Sequence, residues 1–190
     1  MPFHFDIDRA IQLAAFCIRK SGSDRMNTMK LLKLLYIADR ESLRTAGYAL
    51  TGDAPFALKH GPVLSRIYDL TKTSNDWAFL DENPEEVLWC SHFRAEGRDL
   101  CIAKEAGEDR LSEHDKSVIS EVMDCHGHLD QFQLCDLTHE FAEWRNNDPG
   151  SSSCPIPLRD ILEALGRHEA AKAVEQAQRE DQHFASIFGS

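Results

Sequence analysis

Residues 28–46 read TMKLLKLLYIADRESLRTA, and this stretch decides the fold. The i, i+3, i+4, i+7 spacing of a single helix face is met by Leu31, Leu34, Leu35 and Ala38. That apolar surface is widened by Leu32, Tyr36 and Leu43. Asn27 or Thr28 suits the N-cap, and Gly47 can end the helix. The pattern predicts a long helix at the centre of the core.

The segments on either side of this helix carry their own signals. Asp6 suits the N-cap of a first helix that runs to about Lys20. After the central helix, residues 51–55 predict a turn and residues 56–60 an extended segment. Gly61 and Pro62 suit the N-cap and first position of a third helix. We expect that helix to continue through Val63, Leu64, Ile67 and Leu70.

A change of pattern follows in the middle of the chain. Residues 87–93 read VLWCSHF, whose β-branched and aromatic content is typical of a strand. Residues 95–98 favour a turn into a second strand at 99–103. The sequence therefore predicts a small β-hairpin within a helical protein.

The second half of the chain predicts further helices. Capping boxes are formed by Ser112 with Asp115 and by Asp130 with Gln133. Residues 146–153 favour a loop, Pro157 opens another helix, and residues 169–180 favour a polar last helix. The predicted fold class is mainly α: a compact domain of about six or seven helices with a small β-hairpin. We expect one domain over residues 1–190, with its core at 7–165 and a C-terminal helix and tail at 166–190.

The net charge of −11 is unevenly distributed. Residues 1–80 hold eleven Lys and Arg against eight Asp and Glu, whereas residues 81–190 hold ten against 24. Such acidity attracts basic proteins and disfavours nucleic acid as a direct ligand. The alternative is that the carboxylates only keep the protein soluble.

The cellular location is predicted from cysteines and apolar runs. The six cysteines include no Cys-x-x-Cys pair, so we expect reduced thiols. The first residues lack the pattern of a signal peptide, and no apolar run reaches the length of a membrane span. These features favour a cytoplasmic protein that does not insert into membranes.

Three motifs, taken in order, resemble the Panacea domain of SocA-like antitoxins. They are Lys30-Leu31-Leu32-Lys33-Leu34-Leu35-Tyr36, then Lys59-His60-Gly61-Pro62-Val63, then the run from Leu111-Ser112-Glu113 through Leu134, Leu137, Thr138 and His139 to Trp144. The likeness covers roughly residues 7–165. It implies an antitoxin that neutralises a cognate protein toxin by direct binding, in some members by presenting the toxin to a protease. It implies neither catalysis nor a cofactor.

The motif residues are candidate partner-binding positions, each with a structural alternative. Lys30 and Lys33 can place two ammonium groups over one partner surface, or can lie along their own helix. His60 can contact a partner at an exposed turn, or can pack beside Gly61 and Pro62. The remaining candidates are Tyr36, Lys59, Val63, His139 and Trp144. Trp77, Trp89 and Phe93 are either interface anchors or core residues.

Two other functional classes compete with the antitoxin reading. Cys125, His128, Cys135 and His139, with His126 beside them, have residue types that bind zinc or act as a Cys–His pair. These residues would support a metal- or cysteine-dependent enzyme, although the short spacing between the two pairs and the apolar helix face around Cys135 favour buried thiols and a hydrogen-bonded histidine. A transcriptional autoregulator is the third class, but no basic recognition helix is visible.

Overall fold

The computed structural model describes residues 4–73, 83–147, 150 and 152–188, with the side chains of 178 and 181–188 not described. Trp77 and residues 148, 149 and 151 of the predicted loop therefore lie outside the described residues. The helices are α1 Ile7–Lys20, α2 Thr28–Thr45, α3 Ser65–Thr73, α4 Pro84–His92, α5 Glu113–His126, α6 Gln131–His139, α7 Ala142–Asn146, α8 Leu158–Ala164 and α9 His168–Phe188. The strands are β1 Arg25–Asn27, β2 Pro55–Leu58, β3 Gly61–Leu64, β4 Phe93–Glu96, β5 Asp99–Ile102 and β6 Cys154–Pro155.

The mainly α prediction is confirmed, although the described part of the chain contains nine helices rather than six or seven. The added elements include α4 and the five-residue α7. The polar last helix is longer than predicted, because α9 continues to Phe188.

Helix α2 lies at the centre of the core, as its sequence predicts. Asn27 caps it by accepting a hydrogen bond from the Lys30 backbone N–H. Helices α1, α5 and α6 and strand β3 pack around it. Because neighbours surround it, even its polar Lys33, Asp39 and Ser42 are buried. Large apolar side chains such as Trp89, Phe93 and Leu134 complete the same core.

Local capping signals were accurate elsewhere. Asp6 caps α1, and both predicted capping boxes are present, at the starts of α5 and α6. Pro157 is the N-cap residue of α8. These helix starts were predictable because each cap depends on residues within one turn of the chain.

The third predicted helix begins later than its Gly-Pro signal suggests. Gly61–Leu64 form strand β3, antiparallel to β2, and α3 starts only at Ser65. A two-residue turn, Lys59-His60, joins the strands, with Leu58 paired to Gly61. Gly61 has φ +93°, which a helix N-cap does not use. Pairing with β2 and burial against α2 therefore override the local helix signal.

The predicted strand at residues 87–93 is wrong, because residues 84–92 form α4. Asn83 caps this helix by accepting from the Glu85 N–H, and Pro84 is at its start. Trp89 is fully buried, so its aromatic character reflects core packing rather than strand pairing.

The predicted hairpin is present as β4 and β5: its second strand lies where predicted, but its first strand begins only at Phe93, after α4. It is completed by β1, giving the order β1-β5-β4. The second sheet has the order β3-β2-β6. Strands β1 and β6 are only three and two residues long, too short to give a sequence signal. Among the described helices, none combines the length and apolar character needed to cross a membrane.

Two buried carboxylates fix the loop between α2 and β2. Asp39 accepts hydrogen bonds from the Thr51 N–H at 2.9 Å and the Thr51 hydroxyl at 2.5 Å. Asp53 accepts from the backbone N–H groups of Arg66 and Ile67, and so caps α3 from a distant part of the chain. This loop therefore sets where α3 starts relative to α2.

The burial of Asp39 leads us to expect that the free energy of unfolding depends on pH. Burial raises the pKa of Asp39 from 3.8 to about 7, so the folded state binds more protons than the unfolded state between those values. This group therefore lowers the free energy of unfolding as pH rises from about 4 to 7. Asp39→Asn keeps a carbonyl oxygen for the Thr51 N–H and does not titrate.

Denaturant melts at pH 5, 6 and 7.5 are expected to show a smaller decline in stability for Asp39→Asn than for the wild type. Asp124→Asn is the matched control, because Asp124 is exposed. Equal pH slopes for wild type and Asp39→Asn would contradict the assignment.

Candidate functional site

A groove of about 760 Å³ lies over the N-terminal half of α2, and we call it the central groove. Its floor includes Met29, Leu32 and Lys33 of α2. The β2–β3 hairpin, α3, the β4–β5 turn and the start of α6 form its walls. A groove of this size, with apolar walls and a few polar groups, is typical of a binding site.

Lys33 lies at the floor of the groove and is only 1% exposed. Its Nζ donates a 2.8 Å hydrogen bond to the Pro62 carbonyl oxygen. Burial lowers the pKa of Lys33 to about 8, because removal from water disfavours the charged amine. The amine thus joins the first motif to the second within the protein.

Gly61 lies where all three motifs meet. A Cβ built at Gly61 would lie 2.7 Å from Lys33 Nζ and 2.8 Å from Thr138 Oγ1. It would also lie 3.3 Å from Cδ2 of His139. Residues separated by about 100 positions in sequence are therefore packed together. Position 61 requires glycine, because there is no room for a side chain and because φ is positive.

His139 and Trp144 form the outer part of this contact. Their rings stack with centroids 4.2 Å apart, and Trp144 Nε1 donates to the Leu58 carbonyl oxygen at 3.1 Å. Burial, followed by the nearby charge of Lys33, lowers the pKa of His139. Its Nε2 atom is buried without a hydrogen-bond partner in the described part of the chain. A neutral His139 fits this environment, since a second N–H would be left unsatisfied.

Tyr36 is buried and serves the core rather than the surface. Its hydroxyl donates to Glu143 Oε1 at 3.2 Å, and Arg40 Nε donates to the same oxygen at 2.7 Å. Burial, then the Glu143 charge, raises the pKa of Tyr36 well above its ordinary value. Arg40 also lies over the Phe141 ring. This cluster joins α2 to α7 and orients the end of the third motif.

The candidate partner-binding residues thus fall into two groups. Lys59 and His60 are exposed on the turn that borders the groove, where a partner can reach them. Val63 also lines the groove, although it is buried. Lys30 and Pro62 belong to the second group, whose polar atoms are already bonded within the protein. The Lys30 amine donates to the Gly127 carbonyl oxygen at 2.6 Å, and the Pro62 carbonyl oxygen accepts from the Lys33 amine.

Phe132 is a groove residue that the sequence analysis missed. It is 61% exposed and lies at the rim, beside the N-terminus of α6. Its position off the apolar face formed by Leu134 and Leu137 was the available signal, because a helix rotates about 100° per residue. An exposed aromatic at a groove rim is a typical interface anchor.

The Cys and His residues at 125–139 do not assemble. Among the described residues, no three His, Cys, Asp or Glu side chains are grouped to hold a metal ion. Cys125 and His128 are exposed, and the Cys135 thiol contacts the Met29 sulfur at 3.3 Å. Burial raises the pKa of Cys135, which disfavours a reactive thiolate. Neither the zinc nor the Cys–His alternative gains support from this geometry.

The helical fold packs residues of its three motifs together at Gly61, beside the central groove. Residues 31–145, more than half of the chain, match the family model described as antitoxin SocA-like, Panacea domain. The protein belongs to this family, and the resemblance predicted from the three motifs is confirmed. An antitoxin-type role follows from that membership. Comparison with curated proteins and with solved structures gave no match.

Proposed function

We propose that this protein is the antitoxin of a toxin–antitoxin pair and neutralises its cognate toxin by direct binding at the central groove. The observation that supports this most is the convergence of the motifs on the groove: Lys33 and Gly61 both line it, while Thr138 and His139 pack against Gly61. The first two motifs thus contribute residues to the groove lining, and the third packs against one of them. Phe132 supplies an exposed aromatic anchor there.

The proposal is tested by co-expression with the product of the adjacent gene, which the proposal identifies as the toxin. Wild-type protein is expected to restore growth and to co-purify with the toxin. Failure of both results would overturn the proposal. If instead the toxin disappears rapidly in antitoxin-containing cells and persists when a protease gene is deleted, neutralisation proceeds by delivery to that protease.

Phe132→Ala tests the groove itself. Loss of an aromatic anchor is expected to weaken toxin binding about tenfold or more, or about 1.4 kcal/mol. Thermal stability should change little, because most of the side chain is exposed. Val87→Ala is the matched control, since Val87 is an exposed apolar residue on α4 and is not part of the groove lining. Titration calorimetry showing equal affinities for the two variants would contradict the groove assignment.

A further inference from the structure

The central groove has the opposite charge to the molecule around it. Its lining includes the cationic residues Lys33, Lys59, Lys72 and Arg98, and no Asp or Glu among the residues described. The chain as a whole has a net charge of −11. A cationic groove attracts an anionic ligand locally, while the acidic surface around the groove repels polyanions that cannot enter it.

Two of these cations are available to a ligand. Lys59 is on the β2–β3 turn and Arg98 on the β4–β5 turn, and both are exposed. Neither side chain has an ion-pair partner within the described ranges, whereas Lys72 is paired with Asp69 at 2.7 Å. Charged groups without a partner at a groove rim are suited to contact a carboxylate.

The N-terminus of α2 reinforces this charge, whereas the N-terminus of α6 is capped by the Asp130 carboxylate. The start of α2, at Asn27 and Thr28, and the start of α6, at Gln131 and Phe132, both belong to the lining. The first turn of α2 carries no acidic residue. The positive end of its dipole is therefore not offset by a neighbouring carboxylate of that turn.

Apolar side chains are as prominent as charged ones in the lining of this groove. Met29, Leu32, Val63 and Tyr68 line it, and Phe132 lies exposed at its rim. A ligand that satisfies the whole surface must therefore combine carboxylates with apolar or aromatic side chains. An extended polypeptide meets this requirement, because its successive side chains point to opposite sides.

We propose that the central groove binds an extended acidic segment of the toxin, with carboxylates at Lys59 and Arg98 and an apolar side chain against Phe132. This inference rests on the proposed function and specifies the part of the partner that docks. The groove then supplies specificity for that segment, and the acidic outer surface steers the basic remainder of the toxin.

The direct test uses purified full-length protein and a fluorescein-labelled 12-residue peptide that alternates Glu with Leu and Phe. Wild-type protein is expected to bind it, and replacing every Glu by Gln should weaken binding about tenfold. The double variant Lys59→Glu/Arg98→Glu should lose about as much affinity or more. Lys20→Glu/Lys104→Glu changes net charge equally at exposed sites outside the groove lining, and should retain binding.

Three results would overturn the inference: no binding of the acidic peptide, equal binding of its Gln counterpart, or equal effects of the two double variants. A 12-nucleotide thymidine oligomer that binds the groove more tightly than the peptide would also overturn it, in favour of nucleic acid. The toxin assay separates the two proposals. Full neutralisation by Lys59→Glu/Arg98→Glu would overturn this inference alone, whereas no neutralisation by wild type would overturn the proposed function.

Discussion

Gly61→Ala is expected to destabilise the protein by about 2–4 kcal/mol. Alanine at φ +93° is strained, at a cost of about 1 kcal/mol or more. The new Cβ would also overlap Lys33 Nζ and Thr138 Oγ1, at 2.7 and 2.8 Å. Because the Lys33 amine is buried and bonded to Pro62, it cannot move without breaking that hydrogen bond, which costs about 1–3 kcal/mol.

Gly22→Ala separates steric overlap from backbone strain. Gly22 has φ +77°, and a Cβ built there would have no heavy atom within 4 Å. It should therefore show the cost of strain alone, about 1 kcal/mol. Urea unfolding of both variants gives the comparison. Equal losses of stability would mean that the junction of the three motifs does not depend on close packing at Gly61.

Arg40→Ala is expected to cost about 3–5 kcal/mol, because it would leave the Glu143 carboxylate buried without its cation. Glu143 is 0% exposed, and its Oε2 atom already lacks a hydrogen-bond partner among the described residues. Arg40 donates to Oε1 at 2.7 Å and also covers the Phe141 ring. Its removal would disrupt α7, which carries Trp144 at the end of the third motif.

A double-mutant cycle with Glu143→Gln identifies the source of that loss. Glutamine is neutral and retains an oxygen that can accept from the Tyr36 hydroxyl. Arg40→Ala/Glu143→Gln is therefore expected to be more stable than Arg40→Ala alone. Denaturation midpoints that show no such rescue would indicate that Arg40 acts through packing only. Tyr36→Phe, which removes one hydrogen bond, should cost less, about 0.5–1.5 kcal/mol.

The family and the positions of most helices were predictable from local sequence. The periodicity of α2 and the caps at Asp6, Ser112 and Asp130 each involve residues a few positions apart. The motifs were likewise visible as short runs. Their meeting at Gly61 was not, since contacts between residues 33, 61 and 138 depend on how α2, β3 and α6 pack.

The wrong sequence predictions also arise from contacts between residues that are distant in sequence. Local sequence predicts a helix at residues 61–64 and a strand at 87–92, and both predictions are wrong because pairing with β2 and burial of Trp89 outweigh local propensity. Lys33 is a surface residue by type, and only the surrounding elements bury it and pair it with Pro62.

The sequence by itself determined a mainly α protein, the starts of its principal helices and its family, because these are recorded in short-range patterns and ordered motifs. Only the tertiary structure decided the two small sheets, the buried Lys33 and the cationic central groove with Phe132 at its rim. Those features arise from side chains brought together across long sequence separations, where burial and close packing rather than local periodicity determine the free energy.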